Sequence, residues 1–312
     1  NPSPPFTTST IQQEAAKKLG FSSRRTMGVA QSLYEGMDVG EDGPVGLITY
    51  MRTDSVRVSD TAIASVRDFI GKQYDKRYLP ESPNTYSTRK AARTQDAHEA
   101  VRPTDVTRRP EKLQRYLEPD QYRLYQLIWQ RFVASQMTPA VYDMTIVDFD
   151  LGRYLFRATG SVLVFDGYHV LYSEGREVEE GKTMDDLPPI PPLSQGDTVE
   201  VREITPSQHF TDPPPRFSEA SLVKELERLG IGRPSTYSAI ISTLAAREYV
   251  RIEQRRFFPT SLGETVETLM VGKFPEIFNV EFTARMEEEL DRIEELGMDW
   301  QQVLYDFYGP FT

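Results

Sequence analysis

The chain has 312 residues, enough for two or three domains with ample core, and 38% of them are hydrophobic against 27% charged. It has no cysteine, which excludes disulfides and thiolate metal sites, and no apolar run approaches the roughly 20 residues of a membrane span. A net charge of −11 argues against an indiscriminate nucleic-acid coat protein, but not against a nucleic-acid enzyme whose basic residues line one groove.

The N-terminal part reads as helical. Thr7 is placed to cap a helix carrying Ile11, Ala15 and Leu19 on one face, and Gly20 stops it. Ser22 or Ser23 starts a second helix with Met27, Ala30, Leu33 and Tyr34. The stretch "GLITYMRTDS", Gly46 to Ser55, then begins as a strand and turns polar at Arg52. Alternation along a strand sends residues i and i+2 to one side, so Arg52 is expected beside Tyr50. Two readings stand open. Tyr50 is an amphipathic ring with its hydroxyl at the surface, or it is a nucleophile whose phenolate a neighbouring guanidinium favours. Further helices are expected near residues 60–74 and 118–137. The second carries Tyr122, Tyr125, Ile128, Trp129, Phe132 and Val133 on one stripe, which reads as core.

From Pro139 to about Thr205 the pattern changes to strands, in "YDMTIVDFDL", "RYLFRATGSVLVFDGYHVLY" and "DTVEVREI". An acidic, proline-rich stretch, "EVEEGKTMDDLPPIPPLSQG", interrupts them and reads as a loop. A second proline-rich stretch, "TDPPPRF", marks a boundary before a helical C-terminal part.

That last part repeats the opening. In both copies a hydroxyl cap follows Phe (Phe6, Phe217), and a helix ends at Leu-Gly (Leu19–Gly20, Leu229–Gly230). A short turn then leads to a second helix near a threonine (Thr26, Thr236). Two helices joined this way make a helix-turn-helix. "YVRIEQRRFFPT" after the second copy reads as a hairpin, or wing, and "GLITYMRTDS" takes the matching place after the first. Tyr50 is therefore expected on a wing of a winged-helix-like unit, a shape used for DNA binding and also as a bare interaction fold.

Three constellations carry possible chemistry. "GRPSTY" brings Arg233, Ser235 and Thr236 to a helix N-terminus, where free N–H groups, hydroxyls and a guanidinium suit a phosphate; an ordinary hydroxyl cap explains Ser235 as well. Arg247, at the far end of that helix, can reach a phosphate or complement the helix C-terminus. "QDAHEAVRPT" carries His98 with Asp96, Glu99 and Arg102, beside a basic run that includes Arg89, Lys90 and Arg93. Asp148 and Asp150 have metal-like spacing, but they alternate with Val147, Phe149 and Leu151 and read as the polar face of a strand.

"ITYMRTDS", "AHEAVRPTD", "QLIWQRFVASQMTPA", "FSEASLVKELERLGIGRPSTYSAIISTL" and "REYVRIEQRRF" together resemble the bacterial topoisomerase I family, the type IA DNA topoisomerases, over nearly the whole chain. The resemblance implies a multi-domain α+β core with winged-helix-like helical domains and a β arch. It divides the chain into a tyrosine-bearing helical domain (1–138), part of the arch (139–215) and part of a DNA-groove domain (216–312). It makes Tyr50 the nucleophile that forms a 5′-phosphotyrosyl link, and gives Arg52 the scissile phosphate. His98 and Asp54 stand near the tyrosine, and Arg233, Ser235, Thr236 and Arg247 line a single-strand groove. The implied partners are single-stranded and negatively supercoiled DNA, acted on by a cytoplasmic, nucleoid-associated monomer with no membrane contact. The implied cofactor is Mg2+, held by a Toprim domain upstream of this stretch, so the chain reads as a fragment of a larger enzyme. The alternative is a winged-helix DNA-binding module without catalysis, in which Tyr50 is dispensable.

Overall fold

The computed structural model describes residues 1–40, 43–86, 98–176 and 184–311. Helix α1 (Thr8–Glu14) starts with a reciprocal cap: the Thr7 hydroxyl accepts from Thr10 N–H at 3.3 Å, and the Thr10 hydroxyl accepts from Thr7 N–H at 2.8 Å. It does not run to Gly20 as one α-helix. Ala15–Leu19 form a π turn, which Gly20 closes in the left-handed region at φ 69°. The widened turn lies against Gly175, where an added Cβ would come within 2.9 Å of Lys17 Cβ. Helix α2 (Ser23–Glu35) is capped by Ser22, whose hydroxyl accepts from Arg25 N–H at 3.2 Å. Strands β1 (Met37–Asp38) and β2 (Pro44–Val45) form a two-residue antiparallel ladder.

The strand expected at residues 46–55 does not form. Only an isolated bridge, Ile48 to Pro103, pairs this stretch, and the chain bends at Met51 and Arg52. The segment therefore is no wing, and strand alternation does not govern where Tyr50 and Arg52 point. The extended propensity of Ile48, Thr49 and Tyr50 is met instead by hydrogen bonds to residues 100–104: Thr49 N–H donates to Arg102 O at 2.9 Å, and Thr104 N–H to Leu47 O at 3.0 Å.

Helices α3 (Asp60–Gln73), α4 (Pro110–Leu113) and α5 (Pro119–Ser135) complete the N-terminal body. The stripe of α5 is core as its period demands: Tyr125, Ile128, Trp129, Phe132 and Val133 are buried against Phe6, Ile11, Leu33, Leu47, Ile48, Met51 and Phe69. Each such side chain contributes about 1.5–3 kcal/mol by leaving water. The buried polar ends are satisfied, with Trp129 Nε1–H donating to Val106 O at 2.9 Å and Tyr125 O–H to Arg108 O at 2.7 Å.

Strands β3 (Val141–Leu151) and β4 (Tyr154–Phe165) make a long antiparallel hairpin with Leu151 opposite Tyr154 across Gly152–Arg153. Gly152 sits at φ +64°, as a two-residue turn requires. Met144, Ile146, Phe156, Val162 and Val164 are exposed on it. "DTVEVREI" is not a third strand. Residues 197–204 are exposed and carry no ladder, because alternation alone gives a strand nothing to pair with. The acidic loop lies partly outside the described residues, at 177–183.

The C-terminal part contains α6 (Glu219–Leu229), α7 (Tyr237–Ala246), the hairpin β5 (Val250–Glu253) and β6 (Arg256–Pro259), α8 (Ser261–Lys273), α9 (Val280–Leu296) and α10 (Trp300–Phe311). Ser218 and Ser221 repeat the cap of Thr7 and Thr10, and Gly230 repeats Gly20 at φ 74°. A small core of Val223, Tyr237, Ile241 and Phe257 holds this part together. The two copies of the repeat pack on each other, α1 against α6 and α2 against α7. Ser9 Oγ donates to Glu227 Oε1 at 2.6 Å, and Ser23 N–H donates to Glu219 Oε2 at 2.5 Å. No helix among the described residues is long and apolar enough to cross a membrane.

Candidate active site

Tyr50 is 36% exposed at the end of the extended stretch. Its ring meets the Tyr34 ring of α2 edge-on, with centroids 5.4 Å apart at 65°. On another side the His98 ring lies 5.6 Å away, tilted by 34°. Phenol and imidazole thus share one exposed surface although 48 positions separate them. Tyr34 was visible in the sequence only as part of a helix face. Nothing local signals that it flanks Tyr50, because the contact is made by the fold.

Arg52 is exposed two residues on, and among the described residues no carboxylate pairs with it. Its neighbours in sequence are fixed: Met51 and Thr53 are buried, while Asp54 is exposed. The charge of Asp54 reaches Tyr237 of α7, where burial, Glu227 and Asp54 all push the phenol above its ordinary value. Helix α1 links the Tyr50 loop to the C-terminal helices, with Thr8 Oγ1 donating to Met51 O at 2.7 Å and Ser9 Oγ to Glu227 Oε1 at 2.6 Å.

Other candidates are already engaged. Arg102 pairs with Glu99 at 2.7 Å and donates to Pro103 O at 3.0 Å. Burial would raise the Glu99 carboxyl, but the Arg102 guanidinium outweighs it and holds the group below the usual range. Arg102 therefore braces the loop that carries His98. Asp96, Arg89, Lys90 and Arg93 lie outside the described residues.

Arg233 does not point at an open anion site. Its guanidinium turns to α9, with Nε and Nη2 donating to the two Asp291 oxygens at 3.0 and 2.7 Å. Nη1 donates to Gly230 O and Gly232 O, and Glu287 accepts from Gly232 N–H at 3.0 Å. The cap of α7 is Thr236 rather than Ser235, and the Thr236 hydroxyl accepts from Arg233 N–H at 2.8 Å. Ser235, Thr236 and Arg247 are exposed. Arg233 stands apart from them because two acidic side chains one turn apart on α9 outcompete solvent for its fork.

Asp148 is taken by Arg157, which donates to both its oxygens at 2.7 and 2.9 Å across the hairpin. Among the described residues no three His, Asp or Glu side chains come together as a metal site.

An exposed tyrosine flanked by the rings of Tyr34 and His98, with an exposed arginine two residues on, has the groups that chemistry on a phosphodiester needs. The chain belongs to the DNA topoisomerase family: the model of the bacterial members matches residues 1–305. It is 48% identical to the DNA topoisomerase 1 of Rickettsia felis over 315 residues, covering 100% of this chain and 40% of that protein. It is 47% identical to that of Xylella fastidiosa over 311 residues, covering 99% and 38%. Full-length topoisomerase I from Thermotoga maritima superposes with a TM-score of 0.82 at 40% identity, over 99% of this chain and 49% of that one. The chain thus spans about two fifths of the curated relatives it matches.

Proposed function

We propose that this chain is the strand-cleaving portion of a type IA DNA topoisomerase, which relaxes negatively supercoiled DNA without ATP. The Tyr50 oxygen attacks a backbone phosphorus of a single strand and loses its proton. A phosphotyrosyl bond forms, the bond to the 3′ oxygen breaks, and that oxygen takes up a proton. A second strand passes, and the reverse attack reseals the break. The 5′ attachment rests on the family resemblance. The observation that carries the reading is the juxtaposition of the Tyr50 and His98 rings at 5.6 Å on an exposed surface, with exposed Arg52 in the same loop.

Arg52 supplies a planar fork for the scissile phosphate, and His98 handles phosphate or proton beside the phenol. Asp54 adds a carboxylate to the exposed face of the same loop. Ser235, Thr236 and Arg247 contact strand phosphates, joined by Arg233 where a phosphate displaces Asp291 from its guanidinium. Residues 139–215 supply part of an arch, and α6, α7 and the β5–β6 hairpin form the winged-helix-like unit of the groove. The family resemblance assigns magnesium to a Toprim domain.

The test is Tyr50→Phe in the full-length enzyme, incubated with a 5′-labelled or 3′-labelled single strand. Loss of all covalent adduct supports the reading, with the wild type retaining the 5′ phosphate end. An undiminished adduct in Tyr50→Phe would place the nucleophile elsewhere, and a wild type that forms no adduct at all would favour a binding module in which Tyr50 is dispensable.

A further inference from the structure

Tyr50 and Arg52 stand in a stretch that belongs to no helix or strand. Two threonines hold it from either side. Thr49 secures the approach: its hydroxyl donates to Ala100 O at 2.7 Å and accepts from Arg102 N–H at 3.0 Å. Thr8, in the first turn of α1, secures the exit. It is fully buried. Its Oγ1 donates to Met51 O at 2.7 Å, with Thr53 O at 3.1 Å, and accepts from Thr53 N–H at 2.8 Å. Thr8 N–H donates to Thr53 O at 2.9 Å. One residue thus fixes the backbone on both sides of Arg52 and immediately after Tyr50.

We infer that Thr8 is a positioning residue for strand cleavage: its hydroxyl sets where the Tyr50 oxygen and the Arg52 guanidinium meet the scissile phosphate. A hydroxyl has one hydrogen and two lone pairs. Here the hydrogen serves Met51 O and a lone pair serves Thr53 N–H, so both directions of the bend at residues 51–52 are specified. Removing the hydroxyl leaves buried backbone groups unpaired, and the bend relaxes to find other partners. The next residue, Ser9, bonds Glu227 of α6, so the same helical turn registers the loop against the C-terminal helices. Reactive geometry is sensitive to such shifts, since a displacement of about 1 Å costs on the order of 100-fold in rate.

The inference rests on the topoisomerase reading, and the experiment separates the two. In the full-length enzyme, Thr8→Val keeps the branched shape and loses the hydroxyl, whereas Thr8→Ser keeps the hydroxyl. Single-turnover adduct formation is measured at saturating single-stranded oligonucleotide, with affinity measured in parallel. The expected result is a rate constant lower by about 100-fold for Thr8→Val with near-unchanged affinity, and near-normal cleavage by Thr8→Ser. A loss of folded protein alone would lower the burst amplitude and not its rate constant. Should Thr8→Val not fold, Thr8→Ala, which leaves space for a water, is compared with Thr8→Ser in the same way. Wild-type rate constants in the hydroxyl-free variant, with Tyr50→Phe inactive, overturn the role of Thr8 and leave the topoisomerase reading standing. Adduct formation by Tyr50→Phe overturns that reading itself.

Discussion

Arg233 and Asp291 meet fork to fork, with Nε and Nη2 of the one on both carboxylate oxygens of the other at 3.0 and 2.7 Å. The pair joins the turn before α7 to the middle of α9, and Glu287 adds a second carboxylate 3.8 Å from the guanidinium. One cation therefore faces two anions where the sequence suggested a phosphate site. A strand phosphate must compete with Asp291 for the same nitrogens. Asp291→Asn removes that competitor. Single-strand affinity at low salt is expected to rise by about fivefold, and the log–log salt slope to steepen by roughly 0.7, the contribution of one more phosphate contact on a single strand. The lost tie costs about 1 kcal/mol of stability, since the pair is only partly withdrawn from solvent. Fluorescence anisotropy over a salt series checks this. Weaker binding by the variant would mean that Asp291 aims Arg233 at the strand and does not withhold it.

Arg52 presents the contrasting case. Arg102 and Arg233 are each neutralised by a carboxylate, whereas Arg52 is exposed and has no such partner among the described residues. An uncompensated guanidinium two residues from the nucleophile is positioned for charge that develops on phosphate. Arg52→Ala in the full-length enzyme is expected to cost about 2–4 kcal/mol of transition-state stabilisation, comparable with loss of one oxyanion-hole donor. Lysine restores part of this, because it supplies the charge without the planar fork. Relaxation by Arg52→Ala at the wild-type rate would sink this role.

What the sequence revealed follows the range of the interactions involved. The buried stripe of α5 and the hydroxyl caps at Thr7, Ser22 and Ser218 depend on neighbours three or four residues away, so periodicity and residue type exposed them. The β5–β6 hairpin was legible for the same reason. The stretch at residues 46–55 was not. Its shape comes from Thr8, 43 residues before Met51, and from Ala100 and Arg102 far after it. Strand propensity was present, but the partners that decide between a sheet and a braced loop were invisible. The contact between Tyr50 and His98 belongs to this long-range class and came only through family resemblance. The partner of Arg233 was not legible for a further reason: a phosphate and a carboxylate satisfy a guanidinium alike, and the turn alone does not show that α9 brings Asp291.

The chain returning from the β3–β4 hairpin is fastened to α1 by an ionic cluster in which Glu14, Arg131 and Tyr172 are buried and Glu174 reaches the surface. Tyr172 O–H donates to Glu14 Oε2 at 2.8 Å, and Gly175 N–H donates to the same oxygen at 2.9 Å. Arg131, buried below both, donates to Tyr172 Oη at 3.0 Å and pairs with Glu174, while the Lys18 ammonium lies 3.8 Å above the Tyr172 ring. The two carboxylates respond oppositely. Burial raises the Glu14 carboxyl, assisted by the Glu174 charge and only partly offset by the Gly175 N–H. Burial would raise Glu174 too, but Arg131 outweighs it and holds the group below its ordinary value. For Glu14 the folded state prefers the protonated form, so its stabilising contribution is present at low pH and is lost as pH rises through its raised value. For Glu174 the contribution is present above the ordinary carboxylate value and is lost as pH falls. In the wild type the two partly cancel. Glu14→Gln keeps an acceptor for Gly175 and Tyr172 and removes the charge, leaving the Glu174 dependence alone. The stability of Glu14→Gln relative to wild type should therefore climb as pH rises through and above the ordinary carboxylate range, and chemical unfolding at a series of pH values checks it. A difference that stays flat or falls with pH would show that Glu14 is held as a carboxylate by Lys18 and Arg131.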